Sequence, residues 1–278
     1  MVAVSLILLG VCTNIKAVSE MIRSTDHFIA LDENPAIRYE PGAREYALLI
    51  SNYFDRSVQI VEARQEGFKG KVLVFVPNTF ESFEKYCANP VRACVMGGRL
   101  FMSAQANERK KNIKGIFTHE LSHVQFYQYV GHWNTQLPVP GWFGEGLTVY
   151  VSDDGGAEKV TRQQAIDAVL TGNSIKPTET GGLLFPHSGI RDTRDGQMFY
   201  QQSVLFVEWL YTRDLDNFRH VIELLRAGKT LDEAMMEAYG FSVKVGWKQY
   251  LSELKHKQSH SRRQKKAPLL RRSAFCGK

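Results

Sequence analysis

The chain is poor in cysteine. Four stand in 278 residues, and no two have a Cys-x-x-Cys spacing. A disulfide-scaffold protein is excluded, and so is a Cys-x-x-Cys metal or redox centre. Beyond the N-terminus no uncharged apolar run reaches the roughly 18 residues that a spanning helix needs, which excludes a multi-span membrane protein. Internal repeats are lacking too, and low complexity is confined to the C-terminal tail. Acidic residues are missing from residues 255–278, where nine Lys and Arg stand. The net charge of +6 therefore divides unevenly, because residues 1–254 carry 26 basic and 29 acidic groups, a net −3. Overall basicity does not imply a nucleic-acid surface, and no specific nucleic-acid partner is expected. What remains is an ordinary globular composition, 44% hydrophobic and 23% charged. Such a chain can bury one large core or two small ones.

The ends are read separately. Residues 1–17 begin with an apolar run to Cys12 followed by polar residues, the pattern of a signal peptide or a short membrane anchor. The run lacks the preceding Lys or Arg of an ordinary signal, which leaves open a buried N-terminal strand or helix. Cys12 follows Val11 and not the small residue of a lipidation site, so simple cleavage is preferred. An exported, periplasmic or membrane-associated protein is the expectation. In such a compartment Cys87 and Cys94 would close a small loop by a disulfide, and in the cytosol they would stay reduced. Cys276 stands one residue short of a prenylation box. Residues 255–278, charge-rich, interrupted by Pro268 and almost without apolar periodicity, are expected to be a disordered basic tail. The tail would serve solubility or weak association with an anionic membrane surface.

Between the ends, strands come first and helices second. His27–Leu31, Lys71–Val76 and Arg99–Ser103 read as strands, and 43–63 as an amphipathic helix. Further helices are predicted over 109–130, 143–152, 159–170, 197–212, 215–227, 231–239 and 243–254. That order is α+β, not an alternating βαβ fold.

The chemistry lies inside the 109–130 helix, in His119-Glu120-Leu121-Ser122-His123. Residues four apart sit one turn apart on one face, so both imidazoles can address one ion while Glu120 lies beside them. Ile113, Ile116, Phe117, Val124 and Phe126 make the helix a buried one, where two histidines are costly without partners. A catalytic zinc takes three protein ligands and keeps one open position. Glu145, within Pro140-Gly141-Trp142-Phe143-Gly144-Glu145-Gly146-Leu147, is the candidate third ligand; the alternative is a satisfied structural carboxylate near a helix start. His187, in a Pro-His-Ser loop, reads as a solvated histidine more readily than as a cleft residue.

The pair of segments at 119–123 and 140–150 resembles the gluzincin metallopeptidases, in particular the peptidase-MA-like group related to aminopeptidase-N and thermolysin-like enzymes. The resemblance extends to His27-Phe28, the Val72–Val76 strand, Thr230–Ala234, Tyr239-Gly240 and Trp247–Tyr250, and covers 25–254 as one metallopeptidase domain. It implies a zincin-like fold: a small N-terminal sheet packed on the active-site helix, followed by a helical subdomain. It implies Zn2+ held by His119, His123 and Glu145, with Glu120 as acid/base and a peptide or protein as substrate. Tyr200, in Phe199-Tyr200-Gln201-Gln202-Ser203, matches the segment where the aminopeptidases keep a transition-state tyrosine, although an aromatic there can equally be core. The strand at 99–103 would correspond to the edge along which a peptide pairs. No Gly-x-Met-Glu-Asn segment is present, which leaves endopeptidase action as open as aminopeptidase action. The competing expectation is a catalytically silent zincin module that binds or scaffolds at the cell envelope.

Overall fold

Leu73-Val74-Phe75-Val76 is a run without a polar side chain, and it lies where such a run can be covered on both faces. In the computed structural model, which describes residues 23–87, 92–103, 112–131, 134–135, 139–181 and 196–272, with backbone only from 260, this strand (β3) is the centre of a five-stranded sheet. The order is β1 (Ile29–Leu31), β2 (Asn34–Tyr39), β3, β5 (Arg99–Met102), β4 (Ala93–Met96). The three inner strands are parallel and the outer two antiparallel to their neighbours. Ile37, Val74, Val76, Leu100 and Met102 face the helices, whereas Phe75 and Phe101 join Phe28, Phe83 and Tyr86 on the other face.

One expectation is corrected here. The strand at 99–102 is interior, and the outer strand on that side of the sheet is β4. Gly97 and Gly98, with φ of +59° and +74°, form the two-residue turn that sets Met96 opposite Arg99. A disulfide joins Cys94 of this edge to Cys87, with their Cα atoms 6.2 Å apart.

Among the described residues the helices are α1 (Arg44–Arg64), α2 (Phe80–Glu84), α3 (Ile113–Val130), α4 (Gly141–Val151), α5 (Arg162–Leu170), α6 (Gly196–Arg213), α7 (Leu215–Arg226), α8 (Leu231–Tyr239) and α9 (Val243–Arg272). α3 carries the His-Glu-x-x-His segment and is buried over most of its circumference. Of its buried polar residues, Thr118 bonds to Ser57 at 2.9 Å and Ser122 to Gln65 at 2.8 Å. Arg64 at the end of α1 donates to the carbonyls of Tyr150 and Val151, satisfying the C-terminus of α4. The helical part is held by an aromatic stack in which Phe206 lies 5.1 Å from Trp142 and 5.0 Å from Trp247.

α4 approaches α6 at Gly146, where an added Cβ would stand 2.7 Å from the Ser203 carbonyl oxygen. Gly146→Ala must push the two helices apart, and chemical denaturation should show a loss of about 1–3 kcal/mol. An unchanged midpoint would mean that the interface has slack.

The backbone is helical through Arg272, within the stretch read from sequence as a basic tail from Lys255. Residues 1–17 and His187 lie outside the described residues. Among the described residues no helix is long and apolar enough to cross a membrane.

Candidate metal centre

The helical period of α3 does what the spacing predicts. His119 and His123 lie one turn apart with their Nε2 atoms separated by 3.2 Å. Glu145, from the first half of α4, brings Oε2 to 3.3 Å from His119 Nε2 and 3.6 Å from His123 Nε2. Bonds of zinc length arranged tetrahedrally place neighbouring ligand atoms about 3.3–3.6 Å apart, so the triangle has the size of one face of such a site.

Two further observations support a cation at this point. His119 Nδ1 donates to the Gly155 carbonyl at 2.9 Å, which orients the ring so that in its neutral form the Nε2 lone pair is aimed at the triangle. Glu145 Oε2 is buried and makes no hydrogen bond. A buried carboxylate oxygen without a donor is costly unless an ion takes that place. The donor set of two imidazoles and one carboxylate is suited to zinc.

Electrostatics agree with the geometry. Burial opposes ionisation of Glu145, but the facing His123 and His119 outweigh it and hold the carboxyl well below its ordinary value. Burial likewise opposes a charged His123, yet Glu145 draws it upward. Glu120 is pushed up by burial, helped by the Glu145 charge, against the pull of His119 and His123. Tyr200 on α6 has its ring 6.2 Å from that of His119. The charge of Glu145, then burial, hold its phenol strongly protonated, so at neutral pH it is a donor. The structure thus gathers His119, Glu120, His123, Glu145 and Tyr200 from three helices.

No protein-family model matches the chain, and no curated protein sequence does. Solved structures do match. Yeast LTA4 hydrolase in complex with bestatin superposes with a TM-score of 0.50 at 17% identity, over 77% of this chain and 36% of that one. The fold is zincin-like. Native yeast LTA4 hydrolase matches at 18% identity and a TM-score of 0.49, over 76% of this chain and 36% of its own. The chain thus spans little more than a third of the length of these structures.

Within the zincin-like fold, several site neighbours were not singled out from sequence. Thr148 Oγ1 lies 3.3 Å from His119 Nε2 and is held by the Glu145 carbonyl at 2.9 Å. Gly155 lies in the turn after α4, and an added Cβ would meet the Gly115 carbonyl oxygen at 2.3 Å. The turn can seat on α3 only with glycine there. The Gly155-Gly156 pair just beyond a ligand-bearing helix was the available signal, but a carbonyl that orients an imidazole has no side-chain signature.

Proposed function

We propose that the protein is a zinc-dependent peptidase. The observation that carries this reading is the convergence of His119, His123 and Glu145 on one point, with Glu120 beside them on the same helix. The likeness of the fold to a structure named as a hydrolase supports it. His119, His123 and Glu145 would hold the metal, which when bound supplies a more acidic water and a polarised substrate carbonyl. Glu120 takes a proton from the attacking water and passes it to the leaving amine, a role suited to a carboxyl whose buried setting raises its basicity. The outer strand β4 pairs with an extended peptide, and its position supersedes β5 in that role. The Cys87–Cys94 disulfide supports an oxidising compartment, consistent with export. The cationic stretch from Lys255 adheres weakly to anionic lipid; truncation after Leu254 should abolish binding to acidic vesicles, and retained binding would refute adhesion by the tail.

The deciding experiment is metal analysis of protein purified without chelator, followed by digestion of a proteome-derived peptide library. Zinc near one equivalent and cleaved peptides are expected. Absence of either overturns the reading, and the cleavage sites show whether the enzyme acts within chains or from an end.

Tyr200 donates its phenolic proton to the oxyanion that develops on the scissile carbonyl. Tyr200→Phe removes only that donor and should lower kcat by about 10²-fold with little change in KM. An unchanged kcat would assign Tyr200 to packing against Phe199.

A further inference from the structure

Glu158 lies outside the ligand set, in the segment between α4 and α5, yet four elements meet through it. Its Oε1 accepts from Asn112 Nδ2 at 2.7 Å and from the Gly156 backbone N–H at 3.0 Å, and its Oε2 pairs with Arg92 Nη2 at 3.3 Å. Each partner leads to a different part of the site. Asn112 is the N-cap of α3, its side-chain oxygen accepting from Gly115 N at 3.2 Å. Arg92 opens the edge strand, its carbonyl accepting from Ser103 N at 2.9 Å. Gly156 follows Gly155, whose carbonyl takes the Nδ1 proton of His119. The Gly156 carbonyl in turn accepts from Gln197, which stands on α6 one turn before Tyr200.

The turn has no slack against His119. A Cβ at Gly155 would overlap the Gly115 carbonyl, and one at Gly156, where φ is +88°, would lie 3.3 Å from His119 Nδ1. Displacing this turn therefore displaces or releases the hydrogen bond that orients the His119 ring. The Arg92 and Glu158 side chains are only 27% and 26% exposed, which sets the pair apart from a solvated surface bridge of little energetic weight. A ligand histidine held in this way loses metal affinity when its outer support is removed.

We propose that Glu158 is a positioning residue: by clamping the Gly155-Gly156 turn between the α3 N-cap and the edge strand, it sets the orientation of His119 and hence the affinity for zinc. The proposal rests on the reading of His119, His123 and Glu145 as the metal site. It assigns no substrate contact to Glu158.

The test uses the full chain, with zinc affinity read by competition with a chromophoric chelator. Imidazole nitrogen NMR of the metal-free protein reads the His119 tautomer. Glu158→Ala should weaken zinc binding by about 10- to 100-fold and mix the tautomers. Glu158→Gln keeps an acceptor for Gly156 N and Asn112 but gives up the charge facing Arg92, and should recover part of the loss. Arg213→Gln, which breaks the distant Arg213–Glu253 pair, should bind as wild type does. Wild-type affinity and a single Nδ1–H tautomer in Glu158→Ala overturn the proposal while leaving the metal site standing. If Glu158→Ala fails to fold, Arg92→Gln decides: a several-fold loss of affinity supports the clamp, and wild-type affinity overturns it. A wild-type protein that binds no zinc overturns the site reading and this proposal together.

Discussion

Glu120→Gln should lower peptide hydrolysis by about 10²- to 10⁴-fold, the range spanned by general acid–base catalysis, and should leave zinc in place. The substitution preserves shape and removes only the capacity to accept and return a proton. Glu120 shares α3 with both histidines but stands outside the ligand triangle, which is closed by Glu145. Loss of the metal is therefore not an available explanation for the lost activity. The raised proton affinity of Glu120 comes first from burial, and glutamine at this position relieves that desolvation cost. The variant should consequently be folded and at least as resistant to heat as wild type. KM should change little, because the lost interaction belongs to the transition state. Metal content, unfolding temperature and the separate kinetic constants check the three parts of this expectation. Hydrolysis at the wild-type rate would remove Glu120 from the mechanism and leave the proton to another carrier.

What could be read in advance follows from which interactions leave a periodic trace. His119 and His123 were legible because a helix converts a spacing of four into a shared face, and Glu145 because a carboxylate among Trp142, Phe143 and Leu147 needs a partner. β3 was legible as an apolar run stopped by Pro77. β2 was not, since Asn34-Pro35 begins it with residues that usually end strands and its burial does not alternate cleanly. β4 was not singled out, and it was the resemblance that placed the peptide-pairing edge on the strand at 99–103. The outer support of His119 was the least legible part. It consists of a backbone carbonyl, a glycine contact and a carboxylate 39 positions away from the histidine, and none of these has a sequence period.

Glu145→Gln should separate two contributions of one carboxylate. The first depends on metal. A ligand that binds only the folded state at 1,000 times its dissociation constant stabilises by about 4 kcal/mol. Saturating zinc should therefore raise the unfolding midpoint of wild type clearly and that of Glu145→Gln barely, because a neutral amide oxygen is a poor replacement for the third ligand. The affinity lost should exceed the roughly 10- to 100-fold that removal of an outer partner costs. The second contribution is present without metal and has a sign that burial alone would not give. The imidazoles of His123 and His119 hold the folded-state value of Glu145 below its unfolded value despite desolvation. A carboxyl depressed in this way stabilises the fold at pH above its unfolded value, and the stabilisation is lost as pH falls through that value towards the folded one. With chelator present, Glu145→Gln should thus be less stable than wild type at neutral pH, and the difference should shrink as the solution is acidified below the ordinary carboxylate range. Denaturant titrations at neutral and acid pH, with zinc and with chelator, measure both effects. If zinc stabilises the variant as much as wild type, the third ligand lies elsewhere and Glu145 is a structural partner of the two histidines.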